Sequence, residues 1–184
     1  MEHIYEQSQF GPNWFGFDSL YRNMVTSNEN GAHFVEVGSF MGKSTSFMAV
    51  EIINSGKKIK FDAIDTWIGS DEDAHHSMEI IKDGRLYEVF LENMKDLLDY
   101  CTPIRTTSVE GAKLYKDKSL DFVLIDAAHD YDNVKADILA WLPKVKEGGV
   151  LAGDDWGFEG VNKAVEELLE NRYTIDGRTW IVRI

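Results

Sequence analysis

Cysteine is nearly missing from this sequence. Cys101 stands alone, so no internal disulfide can form, and a reducing, cytoplasmic setting is expected. Cys101 itself reads as a small packing residue. No apolar run approaches the roughly 18 residues of a membrane-spanning helix, so no membrane partner is expected. The opening "MEHIYEQSQF" lacks the basic-then-apolar order of a secretory signal. Positive charge is scarce: 19 lysines and arginines face 32 aspartates and glutamates, a formal net charge of −13. Such a surface repels polyanions, which argues against nucleic acid and anionic lipid as partners. Internal repeats and low-complexity segments are also missing.

What is present is the composition of a folded globule. Hydrophobic residues make up 43% of 184 positions, enough for one domain with a sizeable core over residues 1–184. Self-association into a homo-oligomer is compatible with this composition. "HFVEV" (33–37) reads as a short strand, followed at helical spacing by Phe47, Met48, Val50, Ile52 and Ile53. "KIKFDAID" (58–65) is the next strand, and Leu86, Val89, Phe90, Asn93, Met94 and Leu97 mark one face of a second helix. "TPIRTTS" (102–108) is expected as a third strand. "LDFVLIDA" (120–127) is apolar up to Asp126, the pattern of a strand buried on both faces. Tyr131, Val134, Ile138 and Trp141 then predict a helix. "GGVLAGDD" (148–155) predicts a fifth strand, and Val161, Ala164, Val165, Leu168 and Leu169 another helix. "RYTIDGRTWIVRI" (172–184) reads as a hairpin turning at Asp176-Gly177. Five strand–helix alternations before a hairpin imply an α/β fold: a mostly parallel sheet, helices on both faces, an antiparallel edge.

Two segments stand outside that alternation. Residues 1–30 carry Phe10, Trp14, Phe15, Phe17, Leu20, Tyr21 and Met24 and predict a helical segment over the mouth of the domain. Residues 66–84 form a long polar connection, expected either as a lid or as a solvated loop. His75-His76 within it are expected to be solvated rather than metal-bound.

Ligands of open parallel sheets sit outside the carboxyl ends of the strands, so the polar residues ending strands are the candidates. "EVGSFMGKST" ends like a phosphate-binding loop. Gly38 and Gly42 nevertheless enclose only Ser39, Phe40 and Met41, one residue fewer than that loop needs. The glycine spacing of dinucleotide-binding loops is not met either. The nucleotide-hydrolysing reading is therefore disfavoured. An acid, an apolar residue and a glycine turning into a helix suit a cationic, amino-acid-bearing guest better. Glu36 would attract cationic groups, Gly38 and Gly42 permit close backbone approach, and the helix start at Ser44-Thr45 offers donors to a carboxylate. Lys43 is then an incidental first-turn residue.

With these features, "EVGSFMGKST" resembles the first motif of class I S-adenosylmethionine-dependent methyltransferases. "DFVLIDAAHDYDNVKADILAWLPKVKEGGVLAGDDW" further resembles small glycan- and natural-product-associated methyltransferases and the metal-dependent catechol-type O-methyltransferases. The resemblance covers roughly residues 31–184. It implies a Rossmann-like, seven-stranded fold with a C-terminal antiparallel hairpin. It implies that S-adenosylmethionine rests on Glu36, Gly38, Ser39, Phe40, Gly42 and Ser44, and on Asp65, Thr66 and Trp67 after the second strand. Ser108 and Val109 would contact adenine, and Asp126 would complete the pocket. Asp65 would accept both ribose hydroxyls.

The same resemblance implies a catalytic set of His129 and Asp126. Asp126, Asp154 and Asp155 match the positions that hold Mg²⁺ in catechol-type enzymes, an ion that prefers oxygen ligands. The Asp-Asp pair could instead cap the following turn. His129 is either the general base, a helix cap or an adenine contact. Trp67 and Trp156 would wall the site. The implied reaction is methylation of a hydroxyl on a small molecule or sugar. A non-catalytic cofactor-binding sensor or partner subunit remains the alternative.

Overall fold

The computed structural model of the protein describes residues 1–70 and 78–184. Seven strands form one sheet: β1 (His33–Val37), β2 (Lys60–Asp65), β3 (Thr102–Arg105), β4 (Leu120–Ile125), β5 (Val145–Gly153), β6 (Tyr173–Asp176) and β7 (Thr179–Arg183). Their order is β3-β2-β1-β4-β5-β7-β6. The first five are parallel, and β7 runs antiparallel to both β5 and β6. The order reverses between β1 and β4, which puts the topological switch at the sheet centre.

Helices cover both faces because the central strands are apolar on both. On one face Phe34, Phe61, Ala63, Phe122, Leu124, Val150 and Ala152 pack under α1 (Asp18–Ser27), α2 (Lys43–Ser55) and, beyond the short α3 (Glu79–Lys82), α4 (Leu86–Met94). On the other, Val35, Val37, Ile64, Val123, Ile125 and Leu151 pack under α5 (Ser108–Ala112), α6 (Tyr131–Trp141) and α7 (Glu159–Leu169). α7 buries Val161, Ala164, Val165 and Leu169, and each larger apolar side chain contributes about 1.5–3 kcal/mol. No helix among the described residues is long and apolar enough to cross a membrane.

Three expectations shift. The third strand stops at Arg105, and Ser108 opens α5 instead of ending a strand. Thr107 caps that helix by accepting from the Glu110 amide at 3.4 Å. Thr-x-x-Glu is a capping pattern, so the signal stood in the sequence. The fifth strand starts at Val145, ahead of its glycines, which sit where the β4–β5 register slips. The N-terminal helix does not lie across the mouth: it buries Leu20, Tyr21, Met24 and Val25 on a sheet face beside α2. The preceding residues do reach the carboxyl edge. Trp14 lies 5.6 Å from Phe40, and Asn93 donates to the carbonyls of both Gln9 and Met41. In the 66–84 connection, His75-His76 and the rest of 71–77 lie outside the described residues.

α5 is tied to α6 by polar groups. Trp141 Nε1 donates to Ser108 Oγ at 3.0 Å, and the Ser108 hydroxyl lies close enough to the buried Asp137 carboxyl to favour its ionised form. Burial nevertheless pushes Asp137 up to about 6. The folded chain thus keeps this proton to a higher pH than the unfolded one, and stability falls as pH rises from about 4 through 6. Asp137→Asn should remove that slope. In urea melts it is expected to gain about 1–3 kcal/mol over the parent at pH 7 and nothing at pH 3.5.

Candidate functional site

The loop after β1 is shaped by three positive φ values: Gly38 at 91°, Phe40 at 47° and Gly42 at 88°. At Gly38 glycine is obligatory, because a Cβ there would lie 1.8 Å from the Asp126 carbonyl oxygen. The ends of β1 and β4 therefore meet backbone to backbone. Trp67 (51°) after β2 and Asp155 (65°) after β5 also hold left-handed conformations. Three of the left-handed non-glycine residues, Phe40, Trp67 and Asp155, thus follow strand carboxyl ends; the others, Lys118, Glu170 and Asn171, lie before strands.

The amides of the glycine loop point inward to a carboxylate of the chain itself. Ser39 N and Phe40 N donate to Asp65 Oδ2 at 2.9 and 2.8 Å, and Trp67 N donates to Oδ1 at 2.7 Å. A phosphate would need those donors, so the structure gives an independent reason against the nucleotide reading. With three donors already on it, Asp65 is first a clasp for the loop, and little of its acceptor capacity is left for two ribose hydroxyls.

Glu36 has no exposed surface. Tyr21 Oη donates to it at 2.5 Å, and Thr45 Oγ1 donates to its other oxygen. Burial raises its pKa, against the pull of these hydroxyls. Direct contact between Glu36 and a cation in the mouth is therefore closed off in this conformation. Ser39 and Ser44 are buried beside it. Lys43 lies on a cleft of about 400 Å³ that it lines with Tyr5, Glu6, Asn13, Phe15 and Asp18.

Trp67 is not a wall of the site. It is fully buried against Tyr87 and Phe90, and its Nε1 donates to the Phe40 carbonyl at 2.9 Å. The Thr66 carbonyl accepts from Arg105 Nε at 3.2 Å. Ser108 turns its hydroxyl to α6, and its neighbour Val109 is exposed. Trp156 packs on Tyr173, and its amide donates to the Arg178 carbonyl at 2.8 Å.

At the ends of β4 and β5 three groups converge. Ligand atoms of Asp126, His129 and Asp155 all lie within 4.8 Å of one another. His129 Nε2 is 2.5 Å from Asp155 Oδ2, and its ring stacks on Phe158 at 4.7 Å. Gly160 lets α7 approach: a Cβ there would lie 2.4 Å from the His129 carbonyl. Two members of the expected metal set, Asp126 and Asp155, lie in this cluster. The third, Asp154, accepts from Thr179 Oγ1 at 3.3 Å, and His129 joins the other two in the cluster. Nor does His129 cap α6, since Asp130 does so by accepting from the Asn133 amide at 3.1 Å. The Asp154 and Asp155 side chains turn to Thr179, His129 and Arg178 instead of capping the next turn. Two carboxylates and an imidazole fit a divalent ion, although a nitrogen donor suits Mg²⁺ less than softer metals.

Burial, then the charges of Asp154 and Asp155, push the Asp126 carboxyl well above the usual range; Arg178 offsets this in part. Asp154 is raised by burial and by Asp155. Sequence reading missed the donors answering these acids. Arg178 and Thr179 follow the Asp-Gly turn, and their position depends on hairpin register. Gly153 pairs Trp180, so the next residues of β5's end face Thr179 and Arg178.

The model of a methyltransferase-domain family matches residues 35–156, from inside β1 to just past the acidic pair. An uncharacterized protein of Sinorhizobium fredii, y4gI, is 26% identical over 121 residues; the match covers 66% of this chain and 13% of that protein. The chain therefore spans about an eighth of the curated relative it matches. Among solved structures, the O-methyltransferase NovP superposes with a TM-score of 0.66 at 18% identity, covering 90% of this chain and 78% of that one. CalS11, a calicheamicin methyltransferase, gives 0.62 at 16% identity, covering 91% and 76%. At such identities the likeness concerns the fold, which is Rossmann-like with an antiparallel C-terminal hairpin, as expected.

The clasp at Asp65 has a measurable consequence without any ligand. Asp65→Ala should cost the ligand-free protein about 1.5–3 kcal/mol in urea denaturation, the size of hydrogen bonds to a charged group. A residue serving only as a ribose contact would leave that stability unchanged.

Proposed function

Because the chain belongs to the methyltransferase-domain family, we propose that it moves a methyl group from S-adenosylmethionine to a hydroxyl oxygen of a small molecule or sugar. The observation that carries this reading is the His129–Asp155 pair beside Asp126, one backbone contact away from the glycine loop at Gly38. S-adenosylmethionine supplies the methyl group on a positively charged sulfur. The chain offers that charge an acidic edge at Asp126, Asp154 and Asp155, whose mutual repulsion a cationic guest relieves.

His129 takes the acceptor's proton. The proton goes to Nε2, the nitrogen that Asp155 Oδ2 faces, so Asp155 yields that position to the acceptor oxygen and then stabilises the imidazolium by its nearby charge. S-adenosylmethionine, when bound, would give up its methyl group to the acceptor oxygen and keep the C–S electrons on sulfur, while the His129 imidazole would hold the proton that the acceptor hydroxyl loses. The acceptor oxygen must come between His129 and Asp155 or displace one of them, because the pair is closed at 2.5 Å. A divalent ion at this position would be held by Asp126, His129 and Asp155 and would acidify the bound hydroxyl. Glu36 and Asp65 serve the cofactor indirectly, by fixing Tyr21, Thr45 and the loop amides around it. Gly38, Ser39, Phe40, Gly42 and Ser44 then line the cofactor's amino-acid end, and Thr66 and Val109 flank its adenosine.

The reading is supported by family membership and by the paired base. It is tested first by calorimetry: S-adenosylhomocysteine should bind one to one with a micromolar Kd, roughly −8 kcal/mol, and ATP should give no heat. No binding by folded protein sinks the proposal. Binding without transfer to any of a broad hydroxyl panel would make the chain a sensor or partner subunit. With an acceptor in hand, His129→Ala should lower kcat by about a hundredfold or more while the cofactor Kd stays within twofold. Near-normal turnover would remove His129 as the base.

A further inference from the structure

Asp155 is engaged on both oxygens. Oδ2 faces His129 Nε2 at 2.5 Å, and Oδ1 takes the guanidinium of Arg178. Asp155 is 11% exposed, whereas Arg178 is 60% exposed, so a positive charge enters from solvent and ends on a buried acid. The placement of Arg178 is built into the backbone. Asp176-Gly177 turns the chain between β6 and β7, with Gly177 at a φ of 61°. The Trp156 amide then holds the Arg178 carbonyl at 2.8 Å. Arg178 Cζ also lies 5.5 Å from the centre of the Phe158 ring, whose other neighbour is the His129 imidazole. Guanidinium, phenyl ring and imidazole are thus arranged about one carboxylate.

That carboxylate belongs to the three-donor cluster able to hold a divalent ion. An ion binding there meets Arg178 on the same group, like charge against like charge, and gains less from Asp155 than it would from a bare carboxylate. Arginine suits a permanent counter-ion: it stays charged at every working pH, and its planar fork holds a carboxylate in one orientation.

We propose that Arg178 is the resident cation of this site: its guanidinium neutralises Asp155 and holds it for His129, the part a divalent ion would otherwise play, and a divalent ion enters only in competition with it. The proposal uses the assignment of this cluster as the reaction site. Its test needs neither cofactor nor acceptor.

Calorimetric titration of the full chain with MnCl2 alone compares the parent, Arg178→Gln, Arg178→Ala and Arg178→Lys. Removing the charge in Arg178→Gln or Arg178→Ala should tighten Mn²⁺ about tenfold, and Arg178→Lys should stay within threefold of the parent. If the parent and Arg178→Gln agree within threefold, or neither binds, the proposal is overturned. An arginine that merely props the hairpin would lower the melting temperature without moving Mn²⁺ affinity. Glutamine keeps the length and polarity of the site should the alanine variant not fold. S-adenosylhomocysteine titrated into the same preparations separates the two ideas. Its failure in the parent counts against the methyltransferase reading and leaves the Mn²⁺ comparison standing.

Discussion

Carboxylates placed at the ends of adjacent strands repel one another, and burial sharpens the repulsion because the charged form loses water. The carboxyl edge of this sheet is organised around that constraint. Four of its five acids are answered by donors of the chain itself. Glu36 has two hydroxyls, Asp65 three backbone amides, Asp154 a threonine hydroxyl, and Asp155 an imidazole and a guanidinium. Asp126 is the least compensated, and its pKa is raised accordingly.

The same constraint accounts for three of the left-handed non-glycine residues. Phe40, Trp67 and Asp155 hold left-handed conformations at the ends of β1, β2 and β5. At the first two, the turn brings amides onto Asp65; at the third, it aims the carboxylate between His129 and Arg178. Conformational cost is thus offset by hydrogen bonds and charge pairing within the same few residues. The glycine loop, whose sequence suggests a cradle for phosphate, turns its amides to an internal carboxylate instead.

Much of the fold was legible from periodicity. β1, β4 and the helices after them follow their apolar spacing closely, because strands buried on both faces and one-sided helices leave strong patterns. The third strand's end was not read correctly, since "TTS" favours extended chain locally while Thr107 and Glu110 form a cap. Trp67 looked like a site wall by position, yet packing took it into the core. Of the site, Asp126 and Asp155 were readable as polar residues ending buried strands, and His129 only through the family resemblance. Their mutual geometry, and the departure of Asp154 toward Thr179, were not.

The sequence by itself determined the alternation of strands and helices, the glycine turn after β1 and the acids at the strand ends. These depend on residue type and short-range spacing, which the chain carries locally. The tertiary structure alone decided which group answers each acid. Tyr21 meets Glu36 because α1 lies against the sheet, and Arg178 meets Asp155 because β7 pairs with β5 in one register. A one-residue slip of that hairpin would turn every side chain of β7 to the opposite face, so the partner of Asp155 is set by strand pairing and by no local signal.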